Sequence, residues 1–456
     1  MNEPSASRRV AARVLESLES KGGFANELLR VLLDSTAEGS AKPILPADRA
    51  LARELVYGVC RWRSRLDWAL SQVSDQPVGD LDERLKTILR LGAYQILELE
   101  RIPPWAAVNE SVNLAKATGR RRAASFVNAV LRHLVRRQAE LAKPTFDDPM
   151  EALVVGQSHP RWLVERWVAR FGREAAASIL EANNERAPLT LRINPLKASL
   201  KEVAISLEKE GFGVRESSVV PGALRVESGP VEVTTTEVFQ SGACTIQDEG
   251  AALVGYLSAP GPGQTVLDAC AAPGGKATHM AEQMADGGAI LAMDRHEGRM
   301  RRLVANGRRL GLRSILPFVG DALSPPLREP VPLVLADAPC SGLGVLRRHP
   351  EGKWLKGPEI IERHATLQAA LLEALAPCVA EGGVLIYSVC AFEPEETNEL
   401  VAQWMAQRPG WTVEDPRPHL PDAAHRWVDA EGALSIVPEP GGPDGFYAVR
   451  LRRARL

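Results

Sequence analysis

The sequence predicts three regions in series: an all-α module, a small α+β segment, and a doubly wound α/β domain built on a parallel sheet. Three observations carry that prediction. From about Ser7 to Arg137 the apolar residues recur only at helical spacing. Residues 189–194 alternate as a half-buried strand does, and beyond Gly263 short apolar runs alternate with helical segments.

A chain of 456 residues exceeds one ordinary domain, and 45% hydrophobic content with a net charge of -2 suits globular cores. No run approaches the roughly 20 apolar residues of a membrane span, and Met1-Asn2-Glu3-Pro4 lacks the basic and apolar regions of a signal peptide. A cytoplasmic protein with no membrane partner is therefore expected. The six cysteines include no CxxC pair, which argues against a zinc site or a disulfide framework; reduced thiols and no metal are expected. The near-neutral total hides a basic excess over the first ~140 residues, where a polyanion could dock.

Within the first module, residues 9–15, 51–70 and 85–99 read as helices. Pro103-Pro104 interrupts the pattern before residues 107–115, and the basic turn Gly119-Arg120-Arg121-Arg122 precedes a further helix at 128–134. Such a turn is either a solvated face or a phosphate contact, and its residues leave both open. The polar, proline-bearing stretch 141–149 is a linker, so the helical module is placed at 1–142. Residues 150–236 form the small α+β segment, helical from His159 to Asn184. The α/β domain is placed at 237–456, with Gln247-Asp248-Glu249 opening a helix at its acidic start.

In that last domain, 265–268, 289–294, 315–319, 333–337 and 384–388 are candidate strands, with helices near 275–286, 298–310, 358–379 and 394–407. Residues 445–451 supply a last strand, antiparallel at one side of the sheet. Loops at the carboxyl ends of parallel strands gather over one crevice. Three loops there carry chemistry: Asp268-Ala269-Cys270-Ala271-Ala272-Pro273-Gly274-Gly275-Lys276, Asp337-Ala338-Pro339-Cys340 and Tyr387-Ser388-Val389-Cys390.

Pro273-Gly274-Gly275 lets the backbone approach a ligand at a helix N-terminus, and Asp294, ending the second strand, can accept from both ribose hydroxyls. Those features alone also suit a nicotinamide cofactor. Asp321, ending the third strand, can accept from an adenine amino group, and with the cysteine loops that follow it favours S-adenosyl-L-methionine. The cysteines point to carbon methylation of a pyrimidine. C5 of cytosine is a poor nucleophile until a thiolate adds at C6, and that thiolate must be accessible and activated. Asp337 is placed to stabilise charge developing at N3, and a second cysteine can assist release of the thioether. Cys60, Cys244 and Cys378 have no such setting and read as packing residues, while Cys270 contributes backbone contacts in the cofactor loop.

The three loops resemble the signature motifs of the RNA cytosine-5 methyltransferase family. Arg192-Ile193-Asn194-Pro195, Gln247-Asp248-Glu249 and Asp444-Gly445-Phe446-Tyr447 are similar to its accessory motifs. Through residues 53–59 and 107–112 the helical module resembles the fold of the antitermination factor NusB. The combination, over nearly the whole chain, resembles bacterial 16S ribosomal RNA cytosine-5 methyltransferases of the Sun/Fmu type. The resemblance implies a Rossmann-like methyltransferase domain, with Cys390 as nucleophile, Cys340 promoting product release and Asp337 facing the base. It also implies a cofactor site lined by Cys270, Ala271, Ala272, Pro273, Gly274, Gly275 and Lys276 together with Asp294, Asp321 and Asp337. One departure is Val389, where the family usually has threonine. Valine donates no hydrogen bond, so positioning of Cys390 would rest on backbone.

The implied partner is 16S rRNA, free or in a partly assembled small subunit, and a monomer is expected. A transfer or other RNA cytosine-5 methyltransferase would share the catalytic half, without reason for the NusB-like module. A nonenzymatic RNA-binding or antitermination protein would explain that module and leave the cysteine pair unexplained. In DNA cytosine methyltransferases the nucleophile comes from the Pro-Cys loop, which would reverse the roles of Cys340 and Cys390.

Overall fold

The computed structural model describes residues 3–39, 44–117, 121–230 and 232–455. They form two compact units, Met1–Glu185 with Leu346–Gly357, and Arg186–Val345 with Pro358–Leu456.

The first unit is helical. Helices Ala6–Lys21, Ala25–Gly39, Pro46–Ser71, Glu83–Leu97, Pro104–Ala117 and Arg121–Arg136 surround a core that includes Leu29, Leu55, Leu66, Leu89 and Leu131. Local chemistry sets their ends. Asp82 caps Glu83–Leu97 by accepting the Arg84 N–H, and Pro104 opens the next helix, where a missing N–H costs nothing. Arg121 and Arg122 begin a helix; Gly119 and Arg120 of the basic turn lie outside the described residues.

Two further segments complete this unit. Helices Arg161–Phe171 and Arg173–Asn184 belong to it, beyond residue 142, and so does Leu346–Gly357 from the middle of the α/β sequence. That segment is bound by specific polar contacts. Trp354 Nε1 donates to Cys60 O at 2.5 Å, and the Ala25 N–H donates to Glu351 Oε1 at 3.1 Å. Lys353 is fully buried, its Nζ donating to Asn184 Oδ1 (2.7 Å), Ser158 O (3.2 Å) and Arg61 O (3.3 Å). Burial pushes the Lys353 ammonium well below its usual range.

The second unit holds two sheets. The smaller comprises β1 (Leu189–Ile193), β2 (Gly213–Glu216), β3 (Ala223–Ser228) and β4 (Cys244–Ile246), antiparallel in the order β2-β3-β1-β4. Because β4 pairs with β1, this sheet runs past residue 236. The larger contains β5 (Thr265–Asp268), β6 (Ala289–Asp294), β7 (Ile315–Val319), β8 (Val331–Asp337), β9 (Val379–Val389), β10 (Trp411–Glu414), β11 (Leu434–Ile436) and β12 (Phe446–Arg453). Its order is β10-β12-β9-β8-β5-β6-β7, with β11 paired to β12.

Strands β5 to β9 are parallel and apolar on both faces: Leu267, Val334 and Leu385 enter one core layer, Val266, Leu335 and Ile386 the other. Strand order reverses between β5 and β8, the position where open α/β sheets leave a crevice. The C-terminal strand is antiparallel, as the sequence predicts, yet it is not the edge. β12 lies between β9 and β10, and the short β10 and β11 have too few residues to show alternation in the sequence. No described helix is long and apolar enough to cross a membrane, and no group of three His, Cys, Asp or Glu side chains that could hold a metal occurs among the described residues.

Candidate active site

β8 and β9 are neighbours in register, with Asp337 beside Ser388, so the loops leaving them run side by side. The consequence is that Cys340 Sγ and Cys390 Sγ lie 3.1 Å apart across 50 residues of sequence. The hydrogen bond to Cys390, together with burial, pushes the Cys340 thiol well above its ordinary value. The other cysteines are elsewhere. Cys60, Cys244 and Cys378 are buried, with burial raising each thiol, to about 11 for Cys244. Burial also raises Cys270 within the glycine loop.

The loop after β5 contributes a cation. Lys276 Nζ pairs with Asp337 Oδ2 at 2.6 Å and lies 5.3 Å from the centre of the Phe446 ring, while Ser388 Oγ donates to Asp337 Oδ1 at 2.9 Å. Burial works to lower the Lys276 ammonium, but Asp337 overcomes it and holds the group above its usual value. Gly274 makes the loop possible. Its φ of +105° is disfavoured for other residues, and a Cβ there would sit 2.9 Å from Leu303 Cγ. Helix Gly275–Gln283 then starts with its N-terminus at the carboxyl end of β5.

Acidic groups close the site. Asp268 ends β5 buried, with both carboxylate oxygens unpartnered, and burial, reinforced by Asp337, raises its carboxyl to about 8. Asp294 ends β6, where Oδ2 accepts the Ala272 N–H at 3.2 Å and Oδ1 the His296 N–H at 2.8 Å. Each oxygen keeps a lone pair for a further donor. Asp321, exposed beyond β7, accepts the Leu323 N–H in its own turn at 2.9 Å. Asp268, Asp294 and Asp337 lie close enough to influence one another, with Lys276 beside Asp337, and the carboxylates among them can accept hydrogen bonds from hydroxyl and amino groups.

Residues 256–452 match the family described as 16S rRNA methyltransferase RsmB/F, residues 5–136 the NusB family, and residues 159–234 the ferredoxin-like domain of RsmF/B-like methyltransferases. The chain is 36% identical over 98% of its length to a protein from Synechocystis sp. named probable ribosomal RNA small subunit methyltransferase B, all of which is covered. It is 34% identical to a protein of the same name from Bacillus subtilis, over 98% of each chain. A solved structure of a methyltransferase homolog protein from Pyrococcus horikoshii superposes with a TM-score of 0.58 at 26% identity, covering 68% of this chain and all of that one. The chain belongs to the RsmB/F methyltransferase family.

As an RsmB/F protein it is an S-adenosylmethionine-dependent rRNA methyltransferase. Several polar contacts at the site are not indicated by any motif in the sequence. Ser388 lies inside the Tyr387–Cys390 loop, and its hydrogen bond to Asp337 is not visible there. Lys276, expected at the cofactor site, has its ammonium paired with Asp337. Asp268 opens the glycine loop, a strand-end carboxylate that could have been read as such. Glu396, in the polar turn Pro394–Glu396, accepts the Ser341 N–H at 2.7 Å, and no sequence signal marks it.

The Val389 departure resolves simply. Val389 is fully buried in the same apolar layer as Tyr387, on the opposite face of β9 from Ser388, so the missing hydroxyl strands no polar partner. Cys390 is instead tied by backbone, its C=O accepting the Gly344 N–H at 3.1 Å. A Cβ on Gly344 would lie 2.3 Å from Gly445 O, so only glycine lets that strand of chain pass.

Proposed function

We propose that this RsmB/F enzyme methylates C5 of a cytosine in 16S rRNA through a covalent adduct between Cys390 and C6. The observation that carries this reading is the pair of thiols 3.1 Å apart at the carboxyl ends of adjacent parallel strands, beside the Lys276–Asp337 ion pair. The Cys390 thiolate forms a bond to C6, and the C5=C6 electrons become available to C5. Asp337, oriented by Lys276 and Ser388, faces the base at N3. S-adenosyl-L-methionine, held by the residues named below, would supply the methyl group to C5, its S–CH3 bond breaking with the electron pair left on sulfur. The C5 proton then leaves to solvent, its bonding electrons restore C5=C6, and the C6–S bond breaks with its pair returning to Cys390. Cys340, holding its proton, donates a hydrogen bond to the departing sulfur.

The cofactor fits the residues present. The segment Cys270 to Lys276 would hold it against the helix N-terminus, Asp294 would take the ribose hydroxyls, Asp321 the adenine amino group, and the acidic surroundings suit its ammonium and sulfonium charges. The NusB-like module, at 1–142 in the sequence, would dock the RNA, free or in a partly assembled subunit, with the enzyme acting as a monomer in the cytoplasm. A denaturing gel with labelled RNA tests the assignment. Cys340→Ala should retain a covalent protein–RNA complex after methyl transfer, and Cys390→Ala and the double variant should form none. A retarded band from Cys390→Ala alone would reverse the two roles.

A further inference from the structure

Glu396 is fully buried, yet the proposed chemistry gives it no part. Its contacts converge on the Cys340 loop. Oε1 accepts the N–H of Ser341, the residue after Cys340, at 2.7 Å, and the Gln368 Nε2–H at 3.0 Å. The same Gln368 nitrogen donates to the carbonyl of Pro339, the residue before Cys340, at 2.9 Å. Glu396 is in turn anchored to the other cysteine's strand, because its backbone C=O accepts the Tyr387 hydroxyl at 2.7 Å and Tyr387 lies three residues before Cys390 on β9. Glu396 thus links both flanks of Cys340, through its carboxylate and Gln368, to the strand that ends in Cys390, through its backbone carbonyl.

Burying a carboxylate is costly unless it is hydrogen-bonded, and burial does push the Glu396 carboxyl up, against the pull of Ser341 and Gln368. A loop free to choose its conformation would not need such a group. The negative charge also faces Cys340, favouring the protonated thiol there.

We propose that Glu396 is a positioning residue for the second thiol: with Gln368 it fixes the Pro339–Ser341 turn so that Cys340 Sγ stays against Cys390 Sγ, and its loss impairs release of the adduct more than its formation. The part concerning release rests on the roles given above to the two cysteines. The part concerning position does not.

Two readouts on the full-length protein separate them. In a Cys390→Ala background, alkylation of Cys340 by iodoacetamide, followed by mass spectrometry, reports the loop directly. Adding Glu396→Ala should change the labelling rate at least fivefold, whereas Glu396→Gln, which keeps an Oε1 acceptor, should stay within twofold. Unchanged labelling in Glu396→Ala overturns the brace, whatever the cysteines do. With Cys390 present, Glu396→Ala incubated with RNA and S-adenosylmethionine should accumulate the denaturant-stable complex as Cys340→Ala does, with kcat lowered and KM for RNA little changed, and Glu396→Gln should restore release. If Cys340→Ala accumulates the complex and Glu396→Ala does not, the link to release fails. If Cys340→Ala itself accumulates none, the cysteine roles fail, and the labelling result alone decides for or against the brace. Cofactor binding by calorimetry confirms that each variant is folded.

Discussion

Lys276 and Asp337 are 61 residues apart in the chain and 2.6 Å apart in space, so the glycine loop after β5 and the end of β8 are joined by one partly buried ion pair. The lysine therefore serves two neighbours: the cofactor loop that carries it and the carboxylate that would face the base. Replacing it by an isosteric apolar chain leaves Asp337 with the Ser388 hydroxyl as its remaining partner. Lys276→Met should lower single-turnover methyl transfer roughly 10²-fold, the scale associated with losing one preorganised charge at a reacting centre. A rate within a few-fold of wild type would remove the pair from the chemistry.

Asp294 offers a cleaner test of the cofactor site, because its two backbone contacts come from Ala272 and His296, both outside the thiol pair. Asp294→Ala should weaken S-adenosylmethionine binding by about 1–3 kcal/mol through lost charge-assisted hydrogen bonds. Isothermal calorimetry measures this, and unchanged affinity would count against the ribose assignment.

Asp268 should make stability depend on pH. Its carboxyl titrates near 8 in the folded protein, against 3.8 for the ordinary group, so between those values the native state holds a proton that the unfolded chain has released. Stability from this group is fully present below the unfolded value and is lost as pH rises through the folded one, at up to about 1.4 kcal/mol per unit inside the window. Asp268→Asn lacks the titration. Melting curves for variant and wild type should therefore diverge in favour of the variant from pH 5 to pH 8, and a constant difference would refute the protonated carboxyl.

Arg192 is buried with an acidic partner and a full set of acceptors. It donates to both carboxylate oxygens of Glu282 at 2.9 Å, to Thr278 Oγ1 and Gly275 O at 3.0 Å, and to Gln247 Oε1. Since Gly275, Thr278 and Glu282 lie on the helix that follows the glycine loop, Arg192→Met should leave Glu282 uncompensated, costing about 3–5 kcal/mol in chemical denaturation and weakening cofactor binding with it. A loss under 1 kcal/mol would show that the helix start is held by other means.

Much of this arrangement is legible in the sequence, for a physical reason. β5, β6 and β7 lie in short apolar runs whose ends are marked by glycine or acidic residues, so pattern alone locates Thr265–Asp268, Ala289–Asp294 and Ile315–Val319 at the residues where they occur. The cysteine loops follow from the rule that parallel strands open onto one edge. What the pattern lacks is lateral information. That β12 pairs with β9 and shelters it from the edge depends on hydrogen bonds between residues some 60 positions apart, such as Val449 with Tyr387. The partners of Glu396 and Ser388 are likewise long-range. Asp268 and Asp337 both end strands in the sequence, and only the three-dimensional surroundings leave one without partners and give the other a lysine.

The placement of Leu346–Gly357 with Met1–Glu185 gives the chain a woven rather than a serial construction: it passes between its two units at 185–186, at 345–346 and again at 357–358. Such a helical module is no detachable cassette. A graft from one relative to another would have to carry the twelve residues 346–357 along with 1–185, or Lys353 and Trp354 would arrive among carbonyls that do not match them. Inheritance of the two parts is thereby coupled, since a recombination breakpoint in the stretch 141–149 would separate the Cys60 and Arg61 carbonyls from the very side chains that satisfy them.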